Sequence, residues 1–273
     1  MRPEIPFETI AEAFSRTAPR YDALAENNPH LTRLRDKVYA HLSRWAEPGA
    51  RILELNAGTG IDAVQLARRG YSVHATDIAP AMLERIRDKA RRFQLEGRIT
   101  VQACSFTNLA EVEGGPYDVV FSNFGGLNCI SDLGPVVSAL PGVLRPGGLV
   151  TWVLLSPICL WELGLALRGQ VRLATRRLAR GGTLAHLEGL TFMVYYFAPG
   201  RVAAWFGRDY DRLALEGLSV ITPTANSRRL ALRHPRVYRV LSWLDDRLAP
   251  RWPWRGWGDF FILSMRYRPA AVG

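Results

Sequence analysis

Residues 51–56, RILELN, form a short apolar run that leads straight into Ala57-Gly58-Thr59-Gly60 and then into a helical segment at 61–69. A strand that ends in glycines and turns at once into a helix restricts the fold more than any other stretch of the chain. Glycine admits φ > 0 and lets a ligand approach the backbone. The helix start beyond it presents unpaired N–H groups. The alternation then continues. Strands are expected at 71–76, 99–103, 117–123 and 149–155, with helices at 80–93 and 133–144, and Pro80 sits at a favourable first-turn position. Strands alternating with helices require right-handed crossovers and a mostly parallel sheet covered on both faces. Two closing strands are expected at 218–222 and 260–267, which brings the sheet to seven. The expected fold class is α/β, a doubly wound, mostly parallel sheet.

The flanking segments read differently. Residues 5–46 are helical in pattern, with Leu31, Leu34, Val38, Leu42 and Trp45 at helical spacing before Pro48-Gly49. Residues 158–180 predict one long helix with Leu163, Leu167, Val171, Ala174 and Leu178 in a stripe and Arg168, Arg172, Arg176 and Arg180 on the opposite arc. A strand is expected at 192–197, short helices at 199–206 and 237–248, and a Pro/Arg/Trp-rich insert at 223–258. The expected domains are an N-terminal helical cover over 1–45, a ligand-binding core over 46–155, a helical lid inserted after the fifth strand over 156–215, and closing strands with the insert over 216–273.

Charge is unevenly placed. Residues 1–155 hold 17 basic and 17 acidic side chains, whereas 156–273 hold 18 and 8 and so carry the whole formal +10. A basic half faces nucleic acid, an anionic membrane surface, an acidic substrate or only solvent. The first residues lack a basic segment followed by an apolar one, so a secretory signal is not expected. The longest apolar stretch, near 148–160, is too short to span a bilayer, and the expected location is cytoplasmic. Cys104, Cys129 and Cys159 contain no CxxC, so neither a disulfide framework nor a metal site is expected. The same absence of a cluster-binding cysteine run disfavours radical chemistry on an iron–sulfur centre.

The turn at 54–60 reads ExNxGxG. Asn56 stands where a GxGxxG dinucleotide fingerprint has its first glycine, and no GxxxxGK[ST] is present. Asp77 follows the second strand about 20 residues past the glycines, where a carboxylate can accept from both hydroxyls of a ribose or cap the next helix. Glu54–Gly60 resembles the first motif of class I S-adenosylmethionine (SAM)-dependent methyltransferases, E/D-x-G-x-G-x-G. Asp77-Ile78-Ala79-Pro80-Ala81-Met82 resembles their D-x-S-x-x-M segment, Tyr117-Asp118-Val119-Val120 their F-D-x-V run, and Leu144-Arg145-Pro146-Gly147-Gly148 their L-x-P-G-G turn. The run Phe14–Asp22 is similar to the helical cover of the small-molecule, quinone-pathway-like members.

The resemblance implies a Rossmann-like fold, SAM as cofactor and methyl transfer as the activity. It implies that Glu54 orders the turn near the cofactor's amino group, and that Asn56, Gly58 and Gly60 line its methionine and ribose portion. Asp77 would hold the ribose, Ile78 and Met82 would pack on adenine, and Tyr21 would close over the methionine end. Asn123 would face the cofactor near the methyl group. The acidic residue that often follows the third strand is missing here, leaving Ser105 and the backbone of Ser105 and Phe106 for the adenine amine. Ser122-Asn123-Phe124-Gly125-Gly126 departs from the N/D-P-P-Y/F of amide and adenine methyltransferases, which disfavours those acceptors.

Methyl transfer from a sulfonium is an in-line displacement for which the protein supplies position, a dry site and, for some acceptors, a base. The lid offers His186, Glu162, Tyr195 and Tyr196 as candidates. The expected acceptor is a small apolar or aromatic molecule, quinone-like, lipid-like or a natural product, methylated on oxygen or carbon. The alternatives are a nucleic-acid methyltransferase using the basic C-terminal part, which lacks a recognisable RNA-binding module, and a noncatalytic SAM-fold binding protein. The 158–180 helix is also compatible with peripheral membrane contact, and the oligomeric state is not readable.

Overall fold

The computed structural model describes residues 7–26, 28–179, 181–225 and 227–269. Arg180, the last member of the expected basic arc, lies outside the described residues, as do residues 5 and 6 of the expected helical N-terminal segment. The chain opens with α1 (Phe7–Glu26) and α2 (Pro29–Leu42). Asn28 caps α2, its Oδ1 accepting from the N–H groups of His30 and Leu31, and Pro29 takes the first helical position. The alternating part follows as β1 (Arg51–Leu55), α3 (Ile61–Arg68), β2 (Ser72–Asp77), α4 (Pro80–Arg92), β3 (Ile99–Ala103), β4 (Tyr117–Ser122), α5 (Gly134–Ala139) and β5 (Leu144–Leu155). Then come α6 (Leu160–Leu163), α7 (Val171–Thr175), β6 (Thr183–Leu187), β7 (Leu190–Val194), α8 (Pro199–Phe206), β8 (Tyr210–Leu218), α9 (Arg229–Arg233), α10 (Pro235–Leu248) and β9 (Phe260–Tyr267).

Seven strands form one sheet in the order β3-β2-β1-β4-β5-β9-β8. The first five run parallel, and β9 is antiparallel to both β5 and β8. The order reverses between β1 and β4, which opens a crevice at the carboxyl ends of those strands. Strand alternation divides the core. Ile52, Phe121, Val153 and Ile262 pack with α2, α3 and α4 on one face. Leu53, Val120, Trp152 and Phe261 pack with α5 and α8 on the other. The α/β, doubly wound, seven-stranded expectation holds.

Three local expectations do not hold. The long 158–180 helix is broken into α6, a tighter turn at Gly164–Arg168, α7 and a second tight turn at Arg176–Leu178. Gly169, at φ 74°, interrupts it in the left-handed region. The apolar stripe is largely in solvent, with Leu167 93% exposed, while Arg177 is buried. The 192–197 strand is the second arm of a β6–β7 hairpin. Its two-residue turn, Glu188-Gly189, has φ 49° and 80°, the paired positive values of a tight hairpin turn. The strand expected at 218–222 ends at Leu218 instead. Ser219 turns to φ 55°, and the N–H groups of Val220 and Ile221 donate to the Asp245 carboxylate rather than to a neighbouring strand.

Candidate active site

The glycine-rich turn is held open by its own backbone. Asn56, Gly58 and Gly60 all have positive φ, at 54°, 55° and 78°. Asparagine tolerates the left-handed region better than other residues with a Cβ, which explains how it replaces glycine at position 56. Its side chain lies over Gly126, where a Cβ would come within 2.6 Å of the Asn56 Cβ. The N–H of Gly58 donates to Oδ2 of Asp77 at 2.9 Å, and the N–H of Ala79 donates to Oδ1 at 2.9 Å. Asp77 is thus both a brace for the turn and a cap for α4. Burial pushes its carboxyl above the usual range, against the lowering effect of those backbone donors.

Beside the turn lies a cavity of about 250 Å³. Its apolar lining includes Ile78 just past β2, Met82 on α4 and Phe106 past the end of β3. Asn123, Phe124 and Gly126, beyond the end of β4, also line it. The cover comes from α1, through Phe7, Ile10, Phe14 and Tyr21, and from the β6–β7 hairpin, through Phe192 and Val194. Phe14 meets Phe192 with ring centroids 5.7 Å apart, joining the two halves of the cover. Asp22 fastens α1 to the turn. Its Oδ1 accepts from Thr59 Oγ1 at 2.6 Å and from Lys89 Nζ at 2.7 Å, and Lys89 also reaches the Thr59 carbonyl at 2.8 Å.

A charged group underlies this cavity. Arg35 Nε donates to Asp62 Oδ1 at 3.2 Å, Tyr39 donates to the same oxygen, and the Arg35 guanidinium lies 4.8 Å from the Phe124 ring centroid. Glu54, on β1, is almost completely buried. Burial pushes its carboxyl well up, Asp62 and Asp77 add to the rise, and Arg35 opposes it. Burial likewise raises the Tyr21 hydroxyl, so that side chain is neutral and is suited to covering and hydrogen bonding. Three buried polar atoms here have no partner within the protein: Glu54 Oε2, Asn56 Nδ2 and Asn123 Nδ2. Unpaired buried polar groups are costly, so a site that gathers them is built to receive polar atoms from a ligand. Two amide donors and a set of carboxylates beside an apolar slot match the carboxylate, ammonium, ribose and adenine of an amino-acid nucleoside, so the residues present fit SAM.

Of the residues expected from sequence to bind cofactor, Tyr21, Asn56, Gly58, Asp77, Ile78, Met82, Phe106 and Asn123 line this cavity. Glu54 lies beneath it, and Gly60 caps α3 with Ile86 close behind. Ser105 does not line it. Its hydroxyl is engaged with Oγ1 of Thr107 at 2.8 Å and the Thr107 N–H at 3.2 Å.

None of the four catalytic candidates reaches the cavity. His186 is exposed on the outer face of β6, because strand alternation points Ala185 and Leu187 inward. Glu162 is buried between Arg176 and Arg177, which hold its carboxyl down at about 2 against the raising effect of burial. Arg177 also donates to Asp259 at 2.6 Å. The guanidinium thereby supplies the positive charge for the cluster of Cys159, Glu162 and Asp259. Tyr195 exchanges backbone and amide bonds with Asn128, and Tyr196 lies under the Arg177 guanidinium. Arg35, Asp62, Phe124 and Phe192 were not anticipated. Asp62 had a signal, an acid in the first turn after the glycines; Arg35 and Phe192 come from distant segments that only the fold brings near.

Comparison with known proteins agrees with the geometry. Residues 52–148 match the family described as Methyltransferase domain. The chain is 32% identical over 156 residues to malonyl-[acyl-carrier protein] O-methyltransferase of Halorhodospira halophila, covering 56% of this chain and 50% of that one. It is 27% identical over 147 residues to demethylmenaquinone methyltransferase of Leptospira interrogans, covering 51% and 57%. The chain thus spans about half the length of the curated relatives it matches. In structure it resembles the CcbJ methyltransferase of Streptomyces caelestis, with a TM-score of 0.61 at 17% identity over 93% of this chain and 96% of that one. Residues 52–148 thus carry the match to the methyltransferase domain family, on a seven-stranded fold shared with methyltransferases of known structure.

Proposed function

We propose that the protein binds SAM in the cavity between the glycine-rich turn and α1, and transfers its methyl group to oxygen or carbon of a small apolar or aromatic acceptor. The observation that carries this reading is the pair of buried, unpaired amides of Asn56 and Asn123 in a cavity also lined by Ile78, Met82 and Phe106. SAM supplies an electrophilic methyl on sulfur. The protein's part is placement. Asp77 would accept from the ribose hydroxyls, the Asn56 and Asn123 amides would donate to the methionine end, and Ile78, Met82 and Phe106 would pack against the base. Phe14, Tyr21 and Phe192 shut out water, which a displacement at sulfonium carbon requires.

Among the described residues that line the cavity there is neither histidine nor glutamate. The Cys129 thiol is pushed up to about 12 by burial, and Asp62 is bound to Arg35 and Tyr39. This arrangement favours an acceptor that is nucleophilic as it arrives, such as an enolate, a carboxylate or an electron-rich ring. The apolar cover favours a small acceptor, in line with the names of the methyltransferase relatives that act on menaquinone precursors.

Two measurements test the reading. Calorimetry with SAM and with S-adenosylhomocysteine should show saturable binding; no heat at millimolar cofactor would support a noncatalytic protein. Labelled methyl should pass into extracts rich in quinones and polyketides. Transfer into purified RNA alone would replace the acceptor class.

A further inference from the structure

Helix α10 has two sides of opposite character. Its inner side is fixed to the body. Asp245 accepts from the N–H groups of Val220 and Ile221 and from Lys37 Nζ at 3.2 Å, and Tyr238 meets His30 Nδ1 at 2.7 Å. Its outer side is in solvent, yet it is not a polar face. Val237, Val240 and Trp243 follow one another at three-residue steps and are 52%, 58% and 52% exposed. Arg236, Arg239 and Arg247 are exposed among these residues at i,i+4 spacing from Val240 or Trp243, and the Arg247 guanidinium lies 4.2 Å from the Trp243 ring centroid. The preceding α9 repeats the pattern, with Leu232 58% exposed beside Arg229 and Arg233. The exposed acid on α10, Asp246, is already paired with Arg33 and Lys37. The outer face therefore interleaves exposed apolar and arginine side chains.

A solvated helix face has no use for a valine–valine–tryptophan stripe, and a purely electrostatic partner would need only the arginines. A face with both features matches an anionic bilayer surface. The stripe enters the headgroup–acyl boundary, tryptophan sits at that depth, and arginine forks pair with lipid phosphates. A second exposed apolar and basic stretch adjoins it. Trp161, 41% exposed, donates from its indole to the carbonyl of Ile221, the residue whose N–H is held by Asp245 of α10. From that anchor the chain continues to Leu167, Arg168, Val171 and Arg172, all exposed. No helix among the described residues is long and apolar enough to cross a membrane, so the contact is one of lying on the surface.

The geometry points to a peripheral membrane-binding face formed by the outer side of α9–α10, reading anionic lipid by its arginines and the bilayer by Val237, Val240 and Trp243. The inference does not depend on SAM binding. The experiment is co-sedimentation of the full chain with vesicles of phosphatidylcholine alone and of phosphatidylcholine with phosphatidylglycerol. The protein should pellet with the anionic vesicles at about 0.1 M salt, where surface charges are only partly screened. The double substitution Val240→Glu with Trp243→Glu should weaken that binding by about tenfold or more. Arg236→Glu with Arg239→Glu should do the same, while all variants keep the parent's circular dichroism spectrum and melting temperature as the check that they fold. Should an acidic substitution lower folding yield, Val240→Ser with Trp243→Ser gives the same reading with less disruption. Failure to pellet with anionic vesicles would overturn the inference, as would equal pelleting of the Val240/Trp243 variants. A third overturning result is tRNA binding tighter than vesicle binding that the arginine substitutions abolish and the Val240/Trp243 substitutions leave intact.

Discussion

The N–H of Gly58 donates to Oδ2 of Asp77 across 2.9 Å, so the carboxylate proposed to hold a ribose also braces the glycine-rich turn. The two functions are separable by an amide. Asp77→Asn keeps the shape but offers one oxygen where the carboxylate offers two, so either Gly58 or Ala79 then faces an NH₂ group. A buried donor left without an acceptor costs about 1–3 kcal/mol. The variant should melt lower by that measure and lose SAM affinity by about 100-fold in calorimetry, since ribose and turn are both disturbed. A variant that loses affinity with an unchanged melting temperature would show that the brace is unimportant.

Asn56 and Gly126 form a second pair whose coupling is predictable. A Cβ at position 126 would stand 2.6 Å from the Asn56 Cβ and 2.9 Å from its Nδ2. Gly126→Ala must therefore displace the Asn56 side chain and the turn with it, with an expected cost of about 1–3 kcal/mol in cofactor binding. Asn56→Gly removes every atom in that clash while keeping φ at 54° accessible. It loses only the amide's hydrogen bond, about 1 kcal/mol. The double variant should bind SAM better than Gly126→Ala alone. Additive losses in a double-mutant cycle would mean that the two residues do not share the space described.

How much of this could be read in advance follows from sequence distance. The turn, Asp77 and the order of β1 to β5 are local patterns, and their signals are periodicity, glycine and proline, so they were legible. Arg35 and Phe192 enter the cavity only because α2 and the β6–β7 hairpin fold over it; nothing near either residue in sequence marks that. The 158–180 segment has the leucine spacing of a helix, but Gly164 and Gly169 interrupt it, and the chain breaks next to both. Choosing catalytic candidates by side-chain chemistry failed for a related reason. The residue types suited a base, but His186 alternates outward and Glu162 answers to two arginines.

Glu162 consequently has a stability role that can be measured. Arg176 and Arg177 hold its folded-state carboxyl at about 2, below the ordinary glutamate value. A depressed pKa contributes stability that is fully present above about pH 4 and is lost as pH falls towards about 2. Glu162→Gln leaves Arg177 with Asp259 alone and should cost about 3 kcal/mol at neutral pH, a penalty that disappears in acid. Turnover of the folded fraction should be unchanged, as should that of His186→Gln, whose ring is on the far side of the hairpin. A large fall in kcat for either, at unchanged stability, would return that residue to the reaction.

Glu54 presents the opposite case. Burial pushes its carboxyl well above the usual range, and the charges of Asp62 and Asp77 push in the same direction. The folded protein therefore binds a proton here more tightly than the unfolded chain does. Its stability falls as pH rises from the unfolded value near 4.3 up to the folded one. Glu54→Gln cannot ionise, so at about pH 7 the ligand-free variant should melt above the parent, and the two curves should converge as pH drops to about 4. Binding should move the other way. An ammonium group set against Glu54 favours the ionised form, and the amide cannot provide it, so the variant should bind SAM about tenfold or more weakly at pH 7. Higher stability with lower affinity is the signature of a residue kept under strain for its ligand. A variant less stable than the parent at pH 7 without SAM would show that Glu54 is ionised and satisfied in the free protein.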